Sequence, residues 1–376
     1  MTVSRYHLTD IYKQYWGDFL KQPETYLPPR VFKAVNQTLA CRTPKLGTRV
    51  YRCPDCERKK VVHHSCKNRF CPRCGYTETK LWADQLMTKI APVRHHHVTF
   101  TLPEALLPLA VRYPKAVYNA LFSAASWVIK DWFQYTHHMT PGIVAVLHTA
   151  GFALKRHVHL HMLVTGGGVR DGRWHELKRN YLTRIDHFRK KFRWRFEHDL
   201  LAALRRGELG TMSETELKRL FLQLNQTQWV VAVQKGLREP ENVVRYIGRY
   251  IKRAPVSEYK IKSIAEGTIR FECKDYRTSV GGKPSPVVVS LTAHEFLKRL
   301  LSHVPLEGFH TVRYYGAYHG QSIVYRQQVE SLQDHPTWRL IQITRTGTDP
   351  LRCPRCDVEM VYCGMEFPEV QYAKTG

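Results

Sequence analysis

The sequence lacks long apolar runs and a secretory signal. No stretch approaches the roughly 18 consecutive apolar residues that a membrane-spanning helix needs. The first residues, MTVSRYHLTDIYK, also lack the apolar core of a signal peptide. These absences argue against membrane and secreted proteins and favour a cytoplasmic protein with no membrane partner.

Acidic side chains are scarce relative to basic ones. The 376 residues include 32 Asp and Glu against 58 Lys and Arg, a formal net charge of +26. An excess of this size favours a polyanionic partner, and nucleic acid is the usual one. Hydrophobic residues make up 43% of the chain, which is enough for a folded core and excludes a disordered protein.

Two Cys-x-x-Cys pairs lie in a short basic stretch near the N-terminus. Cys53 with Cys56 and Cys71 with Cys74 have the spacing of a zinc ribbon, in which four thiolates bind one Zn2+. Four thiolates leave no open coordination position, so the pattern predicts a structural zinc module. The surrounding lysines and arginines favour DNA contact over catalysis.

Further cysteines leave alternatives open. Cys41 and Cys66, with His63 and His64 nearby, either form a second zinc site or are ordinary buried thiols. A C-terminal group offers three thiolates, one short of a closed site, and either binds zinc or does not: Cys353, Cys356 and Cys363.

Residues 157–164 alternate histidine with apolar side chains. On a strand, His157, His159 and His161 would share one face, and three imidazoles are unusual as core filler because each needs a hydrogen-bond partner. We interpret His159 and His161 as ligands of a divalent ion with open positions, which would polarise a phosphoryl oxygen. The third ligand is His157, His148 or a polar group on a neighbouring element.

Two tyrosines stand four residues apart in a predicted helix, so they share one of its faces. Tyr246 and Tyr250 are interleaved with Arg245, Arg249 and Lys252. Either this is an amphipathic helix that buries two tyrosines, or the cations help the two hydroxyls to hold a phosphate.

A third basic segment, residues 188–196, interleaves cations with aromatic rings. It either lines a groove for single-stranded DNA, with Arg193 and Arg195 on the phosphates, or is a helix that packs its rings inward. The surrounding elements alternate helices and strands and include an adjacent strand pair. That order predicts an α/β or α+β domain on a partly antiparallel sheet.

Taken together and in this order, the motifs resemble the two-tyrosine HUH (histidine–hydrophobic–histidine) transposases of the insertion sequence ninety-one family. The resemblance runs from about residue 10 to residue 320. It rests on segments 41–43, 53–56, 65–74, 97–103, 147–149, 157–161, 246–250, 308–310 and 313–316.

The resemblance implies roles for particular residues. His159 and His161 would hold Mg2+ or Mn2+, and Tyr246 and Tyr250 would be the nucleophiles. The family often has proline between the first two histidines, where this chain has Val158, but that position is not a ligand.

The resemblance also implies an α+β fold, with a central antiparallel sheet flanked by helices, a zinc-ribbon-like module and helical insertions. The expected segments are 1–40 (helical), 41–80 (zinc-binding, DNA-recognising), 81–335 (catalytic, with a basic helical insertion near 178–225) and 336–376 (a cysteine-containing tail).

The expected function is rolling-circle transposition. The enzyme would cleave and rejoin single-stranded DNA at element ends and target through a 5′-phosphotyrosine. A GxxxxGKS nucleotide-binding pattern is absent, so duplex unwinding would fall to host replication machinery. Three alternatives stay open: a plasmid relaxase or replication initiator, a non-catalytic zinc-containing DNA-binding regulator, and a metallohydrolase built on His-x-His.

Overall fold

The structure is a computed structural model that describes residues 5–23, 27–180, 182, 184–237, 244, 248, 254–280, 283–320 and 338–367. The chain folds into two compact units, each assembled from separate parts of the sequence. One contains Ala83–Ile251 and Pro305–Asp334, and the other Met1–Trp82, Lys252–Val304 and His335–Gly376. The segments expected from the sequence were contiguous, whereas these units are not.

The helices of the described residues are α1 (Leu8–Leu20), α2 (Pro29–Ala40), α3 (Pro72–Lys89), α4 (Leu107–Arg112), α5 (Pro114–His137), α6 (Ile185–Arg205), α7 (Glu214–Leu224), α8 (Ala293–Leu301) and α9 (Trp338–Thr346). Within the described parts of the chain, no helix has the length and apolar composition needed to cross a membrane.

The strands are β1 (Thr48–Arg52), β2 (Lys59–His63), β3 (His95–Thr101), β4 (Gly142–Ala150), β5 (Arg156–Thr165), β6 (Gly167–Arg170), β7 (Arg173–Glu176), β8 (Val230–Val233), β9 (Ile261–Ala265), β10 (Thr268–Val280), β11 (Lys283–Thr292), β12 (Val312–Gly316) and β13 (Val361–Glu366).

A five-stranded sheet forms the centre of the first unit. Its strand order is β12-β4-β5-β3-β8, and every neighbouring pair is antiparallel. This confirms the α+β class and the central antiparallel sheet. Strand β5 is the middle strand, so both of its edges are hydrogen-bonded and its register is set from two sides.

The alternation along β5 separates two faces of the sheet. Val158, Leu160 and Met162 are fully buried and belong to the main core, which includes the apolar face of α5. His159 and His161 alternate with them and therefore point to the opposite face. The histidine pattern of the sequence is thus explained by one buried apolar face and one face that carries polar groups.

Helix α6 packs its aromatic rings inward. Phe188, Phe192 and Phe196 are fully buried, at the four-residue spacing of one helix face. Phe192 contacts Phe100 of β3 and Trp229, with ring centroids 4.8 and 5.3 Å apart. Of the two alternatives that the sequence left open, the inward packing is the one found for these three phenylalanine rings, because they form part of the core.

The second unit contains two small antiparallel sheets. The order of one is β13-β1-β2, which joins strands from opposite ends of the chain, and that of the other is β11-β10-β9. Near α1, His7 Nδ1 lies 3.1 Å from Glu258 Oε2, and the ring of Phe19 packs on His294 with centroids 5.0 Å apart.

The inward packing of α6 leads to a stability prediction. Phe192→Ala should lower the free energy of unfolding by about 3–5 kcal/mol, because it leaves a cavity beneath the central sheet. Trp194→Ala on the same helix is the control, since Trp194 is 56% exposed, and it should cost less than about 1 kcal/mol. Urea denaturation followed by circular dichroism measures both. Equal losses in the two variants would contradict the assigned face.

Candidate functional site

Three histidines converge on the polar face of the central sheet. His159 and His161 come from β5, and His148 of β4 is the cross-strand partner of His159. His148 Nδ1 and His159 Nε2 are 2.9 Å apart. One ring nitrogen from each of the three lies within 4.8 Å of the others, which is a spacing that can hold a metal ion.

The sequence left His157, His148 or another polar group as the candidate for the third ligand, and the geometry decides between the two histidines. His148 belongs to the cluster, whereas His157 is exposed and outside it. The ring centroid of His157 is 5.1 Å from that of His159. Register explains this outcome, because β4 places His148 directly opposite His159, while His157 lies at the start of β5.

The surroundings keep the imidazoles neutral. Burial, together with the neighbouring histidines, lowers the pKa of His159 to about 4 and the pKa of His161 to about 2. At neutral pH both rings therefore carry a lone pair rather than a second proton. A neutral imidazole is the form that binds metal ions.

A chain of hydrogen bonds orients His161. His97 Nδ1 lies 3.2 Å from Gln234 Oε1, and His97 Nε2 lies 3.0 Å from His161 Nδ1. Because an amide oxygen only accepts, His97 donates through Nδ1 and accepts at Nε2. His161 then donates from Nδ1, which puts its lone pair on Nε2. Outer hydrogen bonds of this kind fix the tautomer of metal-binding histidines.

Three imidazoles on adjacent strands can bind one divalent ion and leave coordination positions for a phosphate oxygen. Imidazole nitrogens suit transition ions, among which Mn2+ binds them least tightly, whereas Mg2+ prefers oxygen. The residues therefore fit a divalent cation, and their chemistry favours the Mn2+ of the two ions expected from the sequence.

The expected nucleophiles lie outside the described residues. This holds for Tyr246 and Tyr250, and also for three expected DNA-binding cations: Arg245, Arg249 and Lys252. Two neighbours are described individually, and Val244 and Gly248 are both helical and buried.

The cations of α6 are paired along their own helix. Arg193 Nε lies 2.8 Å from Glu197 Oε1, and Arg195 Nε lies 2.9 Å from Asp199 Oδ1, each four residues away. These i,i+4 ion pairs neutralise part of the positive charge of the basic segment 188–196.

Four thiols form the N-terminal cysteine cluster: Cys41, Cys66, Cys71 and Cys74. The Sγ atoms of Cys41 and Cys74 are 3.4 Å apart, and those of Cys66 and Cys74 are 3.6 Å apart. Cys71 immediately precedes α3 and Cys74 lies in its first turn. The N-terminus of a helix favours the thiolate form that binds zinc.

Four other thiols form the split cysteine cluster: Cys53, Cys56, Cys353 and Cys356. The Sγ atoms of Cys56 and Cys353 are 3.7 Å apart. Cys363 is exposed and lies outside both clusters.

The grouping of Cys53, Cys56, Cys71 and Cys74 around one ion is therefore corrected. The two pairs lie in different clusters because the first spans the β1–β2 connection and the second begins a helix. Of the open alternatives, Cys41 and Cys66 join a cluster, whereas His63 and His64 do not. His63 Nδ1 instead lies 2.9 Å from Thr48 Oγ1.

His97 and Gln234 are two residues of the site whose roles were not predicted from the sequence. The run of three histidines that ends at His97, followed by apolar and β-branched residues, was the available signal for His97. Gln234 directly follows β8, and no sequence signal pointed to it, because only the strand order of the sheet brings it beside β3.

Comparison with known proteins agrees with this architecture. The family profile described as "Putative transposase" matches residues 142–324, and "Transposase zinc-binding domain" matches residues 11–102. "Putative transposase y4qJ" of Sinorhizobium fredii is 32% identical over 327 residues, 84% of this chain and 81% of that protein. The chain belongs to the insertion sequence ninety-one (IS91) family of transposases.

A second relative supports the family assignment. "Transposase for insertion sequence element IS801" of Pseudomonas savastanoi pv. phaseolicola is 28% identical over 354 residues, 88% of this chain and 82% of that protein. In the present chain, the segment matched by the zinc-binding profile contains the whole N-terminal cysteine cluster. The segment matched by the larger transposase profile contains the three clustered histidines. The chain is therefore a transposase with a zinc-binding domain, and transposases act on DNA.

Proposed function

We propose that this transposase cleaves and rejoins single-stranded DNA at element ends and target by a metal-dependent HUH mechanism, in rolling-circle transposition. The observation that carries the proposal is the convergence of three imidazoles, from His148, His159 and His161, on one face of the central sheet. A divalent ion held there would stabilise negative charge on the phosphoryl oxygens.

The tyrosines supply the covalent step. The hydroxyl oxygen of Tyr246 or Tyr250 attacks the scissile phosphorus, an O–P bond forms to tyrosine, and the bond to the 3′ oxygen breaks. The tyrosine proton is lost and the departing strand gains a 3′-OH. The reverse attack by a 3′-OH restores the phosphodiester and the tyrosine, so no ATP is consumed.

Two nucleophiles suit a reaction with two cleavages. One tyrosine can keep the first 5′ end while the other opens the second site. A single tyrosine would have to be released before it could act again. The four-residue spacing of Tyr246 and Tyr250 would let one ion serve each in turn.

The remaining charges and the zinc-binding domain would position the DNA. Arg245, Arg249 and Lys252 are proposed as phosphate contacts beside the tyrosines. Arg193 and Arg195 are proposed as outer contacts, weakened by their pairs with Glu197 and Asp199. A zinc ion in the N-terminal cysteine cluster would stabilise the module that recognises element ends, and host replication machinery would supply unwinding.

For the transposition chemistry, the first prediction concerns the nucleophiles. The Tyr246→Phe/Tyr250→Phe double variant should still bind single-stranded DNA, because only the two hydroxyls are removed, yet it should form no covalent adduct. Denaturing gel electrophoresis with labelled single-stranded element ends and Mn2+ detects the adduct. Each single variant should form an adduct but fail to complete transposition. An adduct in the double variant would place the nucleophile elsewhere.

The second prediction concerns the histidines. His161→Ala and His148→Ala should each lower the cleavage rate by at least about 100-fold at fixed Mn2+, because two imidazoles hold the ion much more weakly. His157→Ala, on the same strand but outside the cluster, should cleave normally. Cleavage that survives a chelator in the unmodified protein, or equal loss in all three variants, would contradict the metal assignment.

A further inference from the structure

Two loops at opposite ends of the chain have the same backbone conformation. In each, the first cysteine's carbonyl oxygen accepts from the amide four residues later, at 3.0 Å for Cys53 and 2.9 Å for Cys353. The residues that donate, Glu57 and Asp357, have φ values of 53° and 52°. Each loop carries the sequence Cys-Pro-x-Cys. Two matched loops of this kind are the halves of a zinc-ribbon site.

The four thiols of these loops lie close together in a protected position. Cys53 and Cys353 are buried, and Cys56 and Cys356 are half-buried. The Cys56–Cys353 Sγ distance of 3.7 Å is far longer than the disulfide bond length of about 2 Å. It matches the separation of about 3.8 Å between two thiolates bound tetrahedrally to one Zn2+.

The strands around the loops form one sheet from both chain ends. The first loop connects β1 to β2, and the second loop precedes β13, which pairs with β1 in antiparallel register. Lys59 Nζ lies 3.1 Å from Glu366 Oε1, and Lys60 Nζ donates to the carbonyl oxygen of Pro350 at 2.5 Å. The second loop is therefore held against the first by backbone pairing as well as by the thiols.

We propose that the split cysteine cluster binds a second Zn2+, which clamps the C-terminal segment onto the N-terminal module. Four thiolates close the coordination sphere, so this ion is structural rather than catalytic. The two C-terminal ligands, Cys353 and Cys356, lie beyond both segments matched by family profiles. The site is thus additional to the N-terminal cysteine cluster within the matched zinc-binding domain.

Zinc bound at the split cysteine cluster would make the folding of the N-terminal module and of the C-terminal segment interdependent. Cys56 and Cys353 are 297 residues apart in sequence, so the ion closes a very long loop. A short three-stranded sheet with an exposed face is marginal by itself, and binding free energy from a structural ion becomes folding free energy. Loss of the ion should therefore release β13 and loosen the β1–β2 connection.

Zinc content of the full-length protein tests the proposal. The unmodified chain should contain two zinc ions, and the Cys353→Ser/Cys356→Ser double variant should contain one. Cys66→Ser should also contain one, because it removes a ligand of the N-terminal cysteine cluster. Cys363→Ser is the matched control, since it lies in the same C-terminal segment outside both clusters, and it should keep two. Two zinc ions in the double variant would overturn the proposal.

Thiol footprinting of the unmodified protein gives an answer even if the variants fold poorly. Cys56 and Cys356 should react with iodoacetamide at least tenfold more slowly than Cys363, and a chelator should expose Cys53, Cys56, Cys353 and Cys356 together. Reaction of Cys356 at the rate of Cys363 in zinc-loaded protein would overturn the proposal, as would a disulfide between the two loops. Neither result depends on DNA cleavage, so this site can fail while the proposed transposition chemistry stands.

Discussion

Side chains along β5 alternate between the two faces of the central sheet, and both the core and the histidine cluster depend on that alternation. Apolar residues such as Leu160 are buried against the helices, while His159 and His161 reach the other face. A register slip of one residue would push imidazoles into the core and expose the apolar set. Pairing with β4 and β3 on both edges prevents such a slip. The same pairing brings His148 beside His159, so the fold and the geometry of the histidine cluster have a common origin.

The electrostatics of the site contrast with those of the whole chain. A protein with a net charge of +26 attracts polyanions and repels cations at long range. His159 and His161 avoid adding to that charge because burial lowers the pKa of both rings. The hydrogen-bonded series from Gln234 through His97 orients His161 before any ion arrives. Preoriented ligands in a positively charged protein would suit the proposed site, where an ion and a phosphate would meet.

The sequence predicts the parts of this molecule that depend on local patterns. The side-chain alternation around His159 predicts a strand with one apolar and one polar face. That strand and the antiparallel sheet are both confirmed. The division of the cysteines between two clusters was not predictable. Equal Cys-x-x-Cys spacing does not reveal that Cys53 shares a cluster with cysteines of a loop about 300 residues away. The aromatic face of α6 was ambiguous for a similar reason. Phe192 is core only because β3 and Trp229 pack on it, and those contacts are long-range.

The proposed metal site holds one divalent ion between His148, His159 and His161. Pulsed electron paramagnetic resonance of the Mn2+-loaded, full-length protein tests it most directly, because directly bound imidazole nitrogens produce a characteristic modulation of the Mn2+ signal. Nitrogen coupling from three imidazoles is expected in the unmodified protein, and from two after His148→Ala. A Mn2+ signal with no nitrogen coupling, equal to that of the ion bound to oxygen ligands alone, would contradict it.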